Sequence, residues 1–144
     1  MKNSPYPSAL ADLAKRYDLR DIYVFGSRAE ETVARVRGLS FAPAHPDSDL
    51  DMAVQGREGR TFTLQEKVEM AQALEDLFQV KRVDLVILSE AEPFLALEIV
   101  KGELLYSADP DRQAEDELYV LRRAGDLAYF ERERRRMLLE GGTR

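Results

Sequence analysis

Cysteine is absent from the sequence and histidine occurs once, as His45. The first absence removes disulfides, thiolate zinc sites and cysteine nucleophiles together, and it fits a reducing compartment. The second leaves little for imidazole chemistry: a zinc site of several histidines has no ligands, and a serine triad has no base other than His45. Long hydrophobic runs are missing too. No segment approaches the ~18 consecutive apolar residues of a membrane helix, and the opening Met-Lys-Asn-Ser-Pro-Tyr-Pro has no signal-peptide core, so a cytoplasmic protein without a membrane partner is expected. Positive charge is in deficit. With 21 basic against 27 acidic side chains the formal charge is −6, which argues against a broad nucleic-acid surface. Any catalysis is expected to run on carboxylates, arginines and a metal.

What the chain does contain is the balance of a folded globular protein, 44% hydrophobic and 33% charged. Its 144 residues suit a single domain over 1–144, large enough to bury a core and too short for two ordinary domains. Leu10, Leu13, Ala14 and Tyr17 recur at helical spacing behind Ser8 as an N-cap. Ile22-Tyr23-Val24-Phe25 is aromatic and β-branched and stops at Gly26-Ser27, as a buried strand ends in a tight turn. Residues 28–48 open on Glu30-Glu31-Thr32-Val33-Ala34, compatible with a helical turn, and continue through Gly38, Pro43, His45 and Pro46, which favour loop. Leu50, Met52 and Val54 alternate with Asp49, Asp51 and Ala53, the period of a strand with one face in the core.

Thr61 or Thr63 caps a following helix whose Leu64, Val68, Ala71, Leu74 and Phe78 read as its core face. A third strand is expected over 83–88. Ser89 and Glu92 have capping-box spacing and Pro93 suits a first turn, so a helix runs to about Val100 and stops at Gly102. A short strand at Leu104-Leu105-Tyr106, a turn at Asp109-Pro110 and a long helix over about 111–140 complete the pattern. The fold class is α/β, a small mixed sheet with flanking helices, its core spanning about 8–107.

Three carboxylates are placed unlike surface acids: Asp49 and Asp51 on one strand face, and Asp84 inside Val83-Asp84-Leu85-Val86-Ile87-Leu88. Strand interiors disfavour aspartate. Residues two apart lie roughly 6.6 Å apart along one face, and if the 83–88 strand lies beside the 49–54 strand all three meet. Such a cluster repels itself unless a cation fills it. All-oxygen ligation suits Mg²⁺, which combines protein carboxylates with substrate phosphates and waters. Gly26-Ser27 supplies the phosphate half: a glycine permitting close approach, free amides, and a hydroxyl, with Arg28 as an added charge. These parts describe metal-assisted transfer at a nucleoside triphosphate, an acceptor hydroxyl attacking in line.

The run Ile22-Tyr23-Val24-Phe25-Gly26-Ser27-Arg28-Ala29, then Asp47-Ser48-Asp49-Leu50-Asp51-Met52-Ala53-Val54, then Arg82-Val83-Asp84-Leu85-Val86 resembles the minimal nucleotidyltransferases of the DNA polymerase β-like superfamily. Pro93, Ile99, Gly102 and Leu105-Tyr106 also look like that family. The resemblance implies that Asp49 and Asp51 bind metals, a pair of Mg²⁺ ions, that Asp84 completes the triad and acts as base toward the acceptor, and that Gly26 and Ser27 hold the triphosphate. It further implies an antitoxin paired with a HEPN-type ribonuclease toxin, transferring AMP from ATP to a toxin tyrosine. One departure stands out. The 21 residues between Ser27 and Asp49 exceed the family's usual connection, so 30–46 reads as an insertion.

Plainer readings stand beside these. Gly26-Ser27 can be an ordinary turn, Asp49 and Asp51 the exposed face of an edge strand, and Asp84 a partner of Arg82 or Lys81. Arg28 reads equally as a surface arginine or a phosphate ligand. His45 is expected as a solvated loop residue. The run Glu131-Arg132-Glu133-Arg134-Arg135-Arg136 reads as a solvated helix face rather than an RNA contact. Leu118, Leu121, Ala128 and Tyr129 form a stripe that packs on the domain or on a partner helix. Two further functions compete: a catalytically idle module that masks a toxin by contact, and nucleotidyl transfer to a small molecule or an RNA end.

Overall fold

The computed structural model describes residues 4–39 and 47–141. Their order is α1 (Tyr6–Tyr17), β1 (Leu19–Phe25), a 3-10 turn (Gly26–Arg28), α2 (Ala29–Val36), β2 (Leu50–Gly56), α3 (Leu64–Phe78), β3 (Val83–Ile87), a second 3-10 turn (Leu88–Glu90), α4 (Pro93–Lys101), β4 (Glu103–Ser107) and α5 (Pro110–Gly141). The strands form one mixed sheet in the order β3-β2-β1-β4. β1 pairs antiparallel with both β2 and β4, and β2 pairs parallel with β3. A parallel pair needs a crossover, which α3 provides.

β1 begins earlier than its apolar run, and all seven of its residues are buried. Arg20 and Asp21 conceal the strand in the sequence because they are charged, yet they pair with each other at 2.7 Å. Asp21 also accepts from the Ser107 hydroxyl at 2.7 Å, and Arg20 reaches Asp116 on α5. Alternate β1 residues face opposite layers. Ile22 and Val24 pack with Met52, Val54 and residues of α1 and α3, whereas Tyr23 and Phe25 pack with Ala53, Leu88, Ala96, Ile99 and Val120.

Helix boundaries correct several expectations. α1 starts at Tyr6 behind Pro5 rather than at Ser8, and Pro7 sits in its first turn, where proline's fixed φ is helical and its missing amide has no partner to lose. α3 is capped by Thr63 in a reciprocal box with Glu66. Its core face is Met70, Leu74 and Phe78; Leu64 is 78% and Val68 48% exposed, so the stripe drawn through them is rotated from the buried one. α4 is capped by Glu92 itself, whose carboxylate accepts from the amides of Phe94 and Leu95, while Ser89 lies in the preceding 3-10 turn. Gly102 ends α4 as expected.

α5 docks by Gln113, Val120 and Ala124, with Gln113 donating to the Tyr23 hydroxyl at 2.9 Å. Leu118, Leu121 and Tyr129 are exposed, so they do not pack on the domain. Arg136 pairs with Glu133 at 2.8 Å and Glu140 at 3.6 Å, the mixed-sign pairing expected of a solvated face. No helix among the described residues is long and apolar enough to cross a membrane. Part of the 30–46 insertion is helical, as α2; His45 lies outside the described residues.

Candidate active site

Strand direction places Gly26, Ser27, Asp49, Asp51 and Asp84 toward one end of the sheet. β1 ends where β2 and β3 begin, and the register runs Phe25↔Asp51 and Asp51↔Asp84. Asp51 and Asp84 are thus neighbours across a parallel pair, the strand pairing on which their meeting was conditional. Asp49 is not in the strand, since β2 starts at Leu50; it sits one residue before it, tethered where the Leu50 amide donates to the Arg82 carbonyl at 3.0 Å.

Asp51 is the inner member. Burial pushes its carboxyl pKa up, and the charges of Asp84, Asp49 and Glu98 push it further the same way. Glu98, on α4, was not anticipated: α4 is apolar and unremarkable in sequence, and only its seating against β1 brings the acid near. That seating depends on Gly102, where a Cβ would stand 2.4 Å from the Val24 carbonyl oxygen.

Gly26 has φ +78, a left-handed conformation that L side chains rarely adopt. A Cβ there would lie 2.5 Å from Asp51 Oδ2. The glycine therefore makes room for the inner carboxylate, a role beyond the close approach to phosphate for which it was selected. Gly26 and Ser27 are exposed, and the 3-10 turn they open has no side-chain cap, which leaves its first amides available to an anion.

Arg28 differs from both of its sequence readings. It is buried, its Nε 2.7 Å from Glu31 Oε1, and its Nη1 donates to the Ser48 carbonyl at 3.0 Å. It ties the start of α2 to the residues leading into Asp49, which makes it a positioning residue in this arrangement. Asp84 has the alternative partner foreseen for it: Arg82 Nε stands 3.2 Å from Asp84 Oδ1 and 3.7 Å from Asp49 Oδ2. A cleft of about 390 Å³ opens beside these groups, bordered by Arg28, Ser48, Asp49, Lys81 and Arg82.

The donor chemistry is that of a hard divalent cation, three carboxylates with no imidazole or thiolate among them. Among the described residues no three acidic or imidazole groups are gathered into a metal-holding set, and Arg82 occupies the space between two of the three acids.

A family model described as polymerase beta, nucleotidyltransferase, matches residues 9–111. No curated protein matches the sequence. Solved structures do. The chain is similar to an MntA–HepT toxin–antitoxin structure at 23% identity and TM-score 0.56, covering 93% of this chain and 94% of that one. A toxin–antitoxin structure with AMP-PNP matches at 24% identity and TM-score 0.60, covering 94% and 97%. A structure of a tri-AMPylated Shewanella oneidensis HEPN toxin in complex with MNT antitoxin matches at 23% identity and TM-score 0.57, covering 93% of each. At these identities the likeness is one of fold. With the family match spanning strands β1 to β4 and every acid of the site, the chain belongs to the polymerase beta nucleotidyltransferase family.

Proposed function

We propose that this chain is a single-domain, cytoplasmic protein adenylyltransferase that moves AMP from ATP to a tyrosine hydroxyl of a HEPN-type toxin, and so acts as its antitoxin. The observation that carries the reading is the Asp51↔Asp84 register at the end of β1, beside a glycine whose missing side chain leaves space for Asp51. The likeness in fold to an MNT antitoxin bound to an AMPylated HEPN toxin, and to a toxin–antitoxin structure holding AMP-PNP, supports the choice of acceptor and nucleotide.

Asp49, Asp51 and Asp84 would hold Mg²⁺, a pair of ions in this reading. Bound Mg²⁺ would supply charge neutralisation on the triphosphate, favouring attack of the tyrosine oxygen on the α-phosphorus as the bond to the β-phosphate oxygen breaks and pyrophosphate leaves. The chain's own residues do the rest. The free amides at Gly26 and Ser27, with the Ser27 hydroxyl, grip the phosphate oxygens and hold the phosphorus in line with the acceptor. Asp84, less enclosed than Asp51, accepts the proton of the incoming hydroxyl, while Glu31 keeps Arg28 fixed beneath the approach to Asp49.

The test is to incubate the protein with ATP, Mg²⁺ and its HEPN partner and to follow the partner by intact mass. Added AMP units with wild type and none with Asp49→Ala are expected. No added mass with wild type, or equal addition by the variant, refutes the transfer. The contact-masking alternative draws on exposed Tyr129, Phe130, Leu138 and Leu139 of α5. It is favoured if the unmodified toxin is neutralised stoichiometrically by a triple alanine variant of the triad.

A further inference from the structure

We propose that Arg82 is the resident counter-ion of the acidic cluster: its guanidinium holds Asp49 and Asp84 until a divalent cation displaces it, and metal affinity is set by that exchange. The inference rests on the nucleotidyltransferase reading of the same site.

Arg82 Nε is within 3.2 Å of Asp84 and 3.7 Å of Asp49, so one side chain bridges two of the three carboxylates assigned to the metal. Its main chain is anchored beside Asp49, since its carbonyl accepts from Leu50 at the first residue of β2. Lys81 is adjacent, borders the same cleft and forms no ion pair among the described residues. Place in the fold therefore selects Arg82, not local charge alone.

Chemistry makes the arrangement an exchange rather than a lock. A guanidinium keeps its proton at every accessible pH, so its competing charge is removed only by its movement away and not by titration. The Arg82 side chain is 69% exposed and those of Asp49 and Asp84 are 45% and 42% exposed, which keeps both pairs weak and screened. A divalent cation seated between Asp49 and Asp84 would meet the guanidinium's like charge at the same two carboxylates, so the two cations compete. While it stays, one positive charge offsets part of the cluster's negative charge; when it leaves, both Asp49 and Asp84 lose that competitor together.

The test measures Mn²⁺ binding by the full chain, without nucleotide, using electron paramagnetic resonance of free Mn²⁺. Arg82→Ala is expected to bind Mn²⁺ about threefold to tenfold more tightly than wild type, with Lys81→Ala within about twofold. Arg82→Gln repeats the measurement with a side chain of similar length, in case the alanine variant folds poorly. Equal or weaker binding by both Arg82 variants overturns the proposal, as does equal tightening by Lys81→Ala. Wild-type binding that persists undiminished in Asp51→Asn places the ion elsewhere and removes the nucleotidyltransferase site itself, a failure distinct from that of Arg82 alone.

Discussion

Replacing Gly26 by alanine separates two roles of one residue. The first is conformational: at φ +78 an L residue is strained by about 1–2 kcal/mol. The second is steric, because the new Cβ would lie 2.5 Å from Asp51 Oδ2. That oxygen is the end of a rotatable side chain, so the clash is relieved by swinging the carboxylate away, with little added loss of stability. Gly59 is the control. Its φ is +79 and a Cβ there meets nothing within 4 Å. Both Gly26→Ala and Gly59→Ala should therefore lower Tm by about 3–8 °C. Only the first should lose AMP transfer, by about 100-fold or more, since misplacing a reacting group by an ångström has that effect. Thermal melts and single-turnover transfer to the toxin, followed by intact mass, read the two effects apart. Wild-type transfer by Gly26→Ala, or equal loss by Gly59→Ala, refutes the assignment of Asp51's carboxylate to the reacting centre.

Two further expectations concern stability and function together. The Asp51 pKa is raised in the folded protein, chiefly by burial and then by its acidic neighbours, so the folded state binds a proton over a pH range where the unfolded chain does not. Stability linked to this group is present at low pH and lost as pH rises through the raised value. Asp51→Asn should therefore melt above wild type at pH 8, the gap closing as pH falls into the ordinary carboxylate range, while transfer is abolished; a gap of opposite sign, or one indifferent to pH, contradicts this. Gly102→Ala would place a Cβ 2.4 Å from the Val24 carbonyl oxygen and 2.8 Å from Phe25 Cβ, both in the fully buried β1. Urea unfolding should show a loss of about 3 kcal/mol, and a wild-type midpoint would mean that α4 can shift off β1 without penalty.

Residue types along the chain mark the order of elements and the strand positions of Asp51 and Asp84. Asp51 and Asp84 interrupt apolar runs of period two, and Gly26-Ser27 ends a β-branched run, so residue types alone mark the strands and the turn. Thr63 and Pro93 act within one helical turn of themselves and are legible there, whereas the caps expected at Ser8 and Ser89 fall instead at Pro5 and Glu92. What involved distance in the chain was decided only by the tertiary structure. The buried face of α3 was misread at Leu64 and Val68 because periodicity shows that a stripe exists but not how the helix is rotated against the sheet. β1 was started too late because Arg20 and Asp21 are satisfied by partners 96 and 86 residues away. Arg28 became a positioning residue because the fold brought Ser48 under it, and Glu98 joined the acidic cluster because Gly102 lets α4 close on β1. Arg82 lies between Asp49 and Asp84 because β2 and β3 pair in parallel, and whether a charge faces a carboxylate or the solvent is settled by that packing.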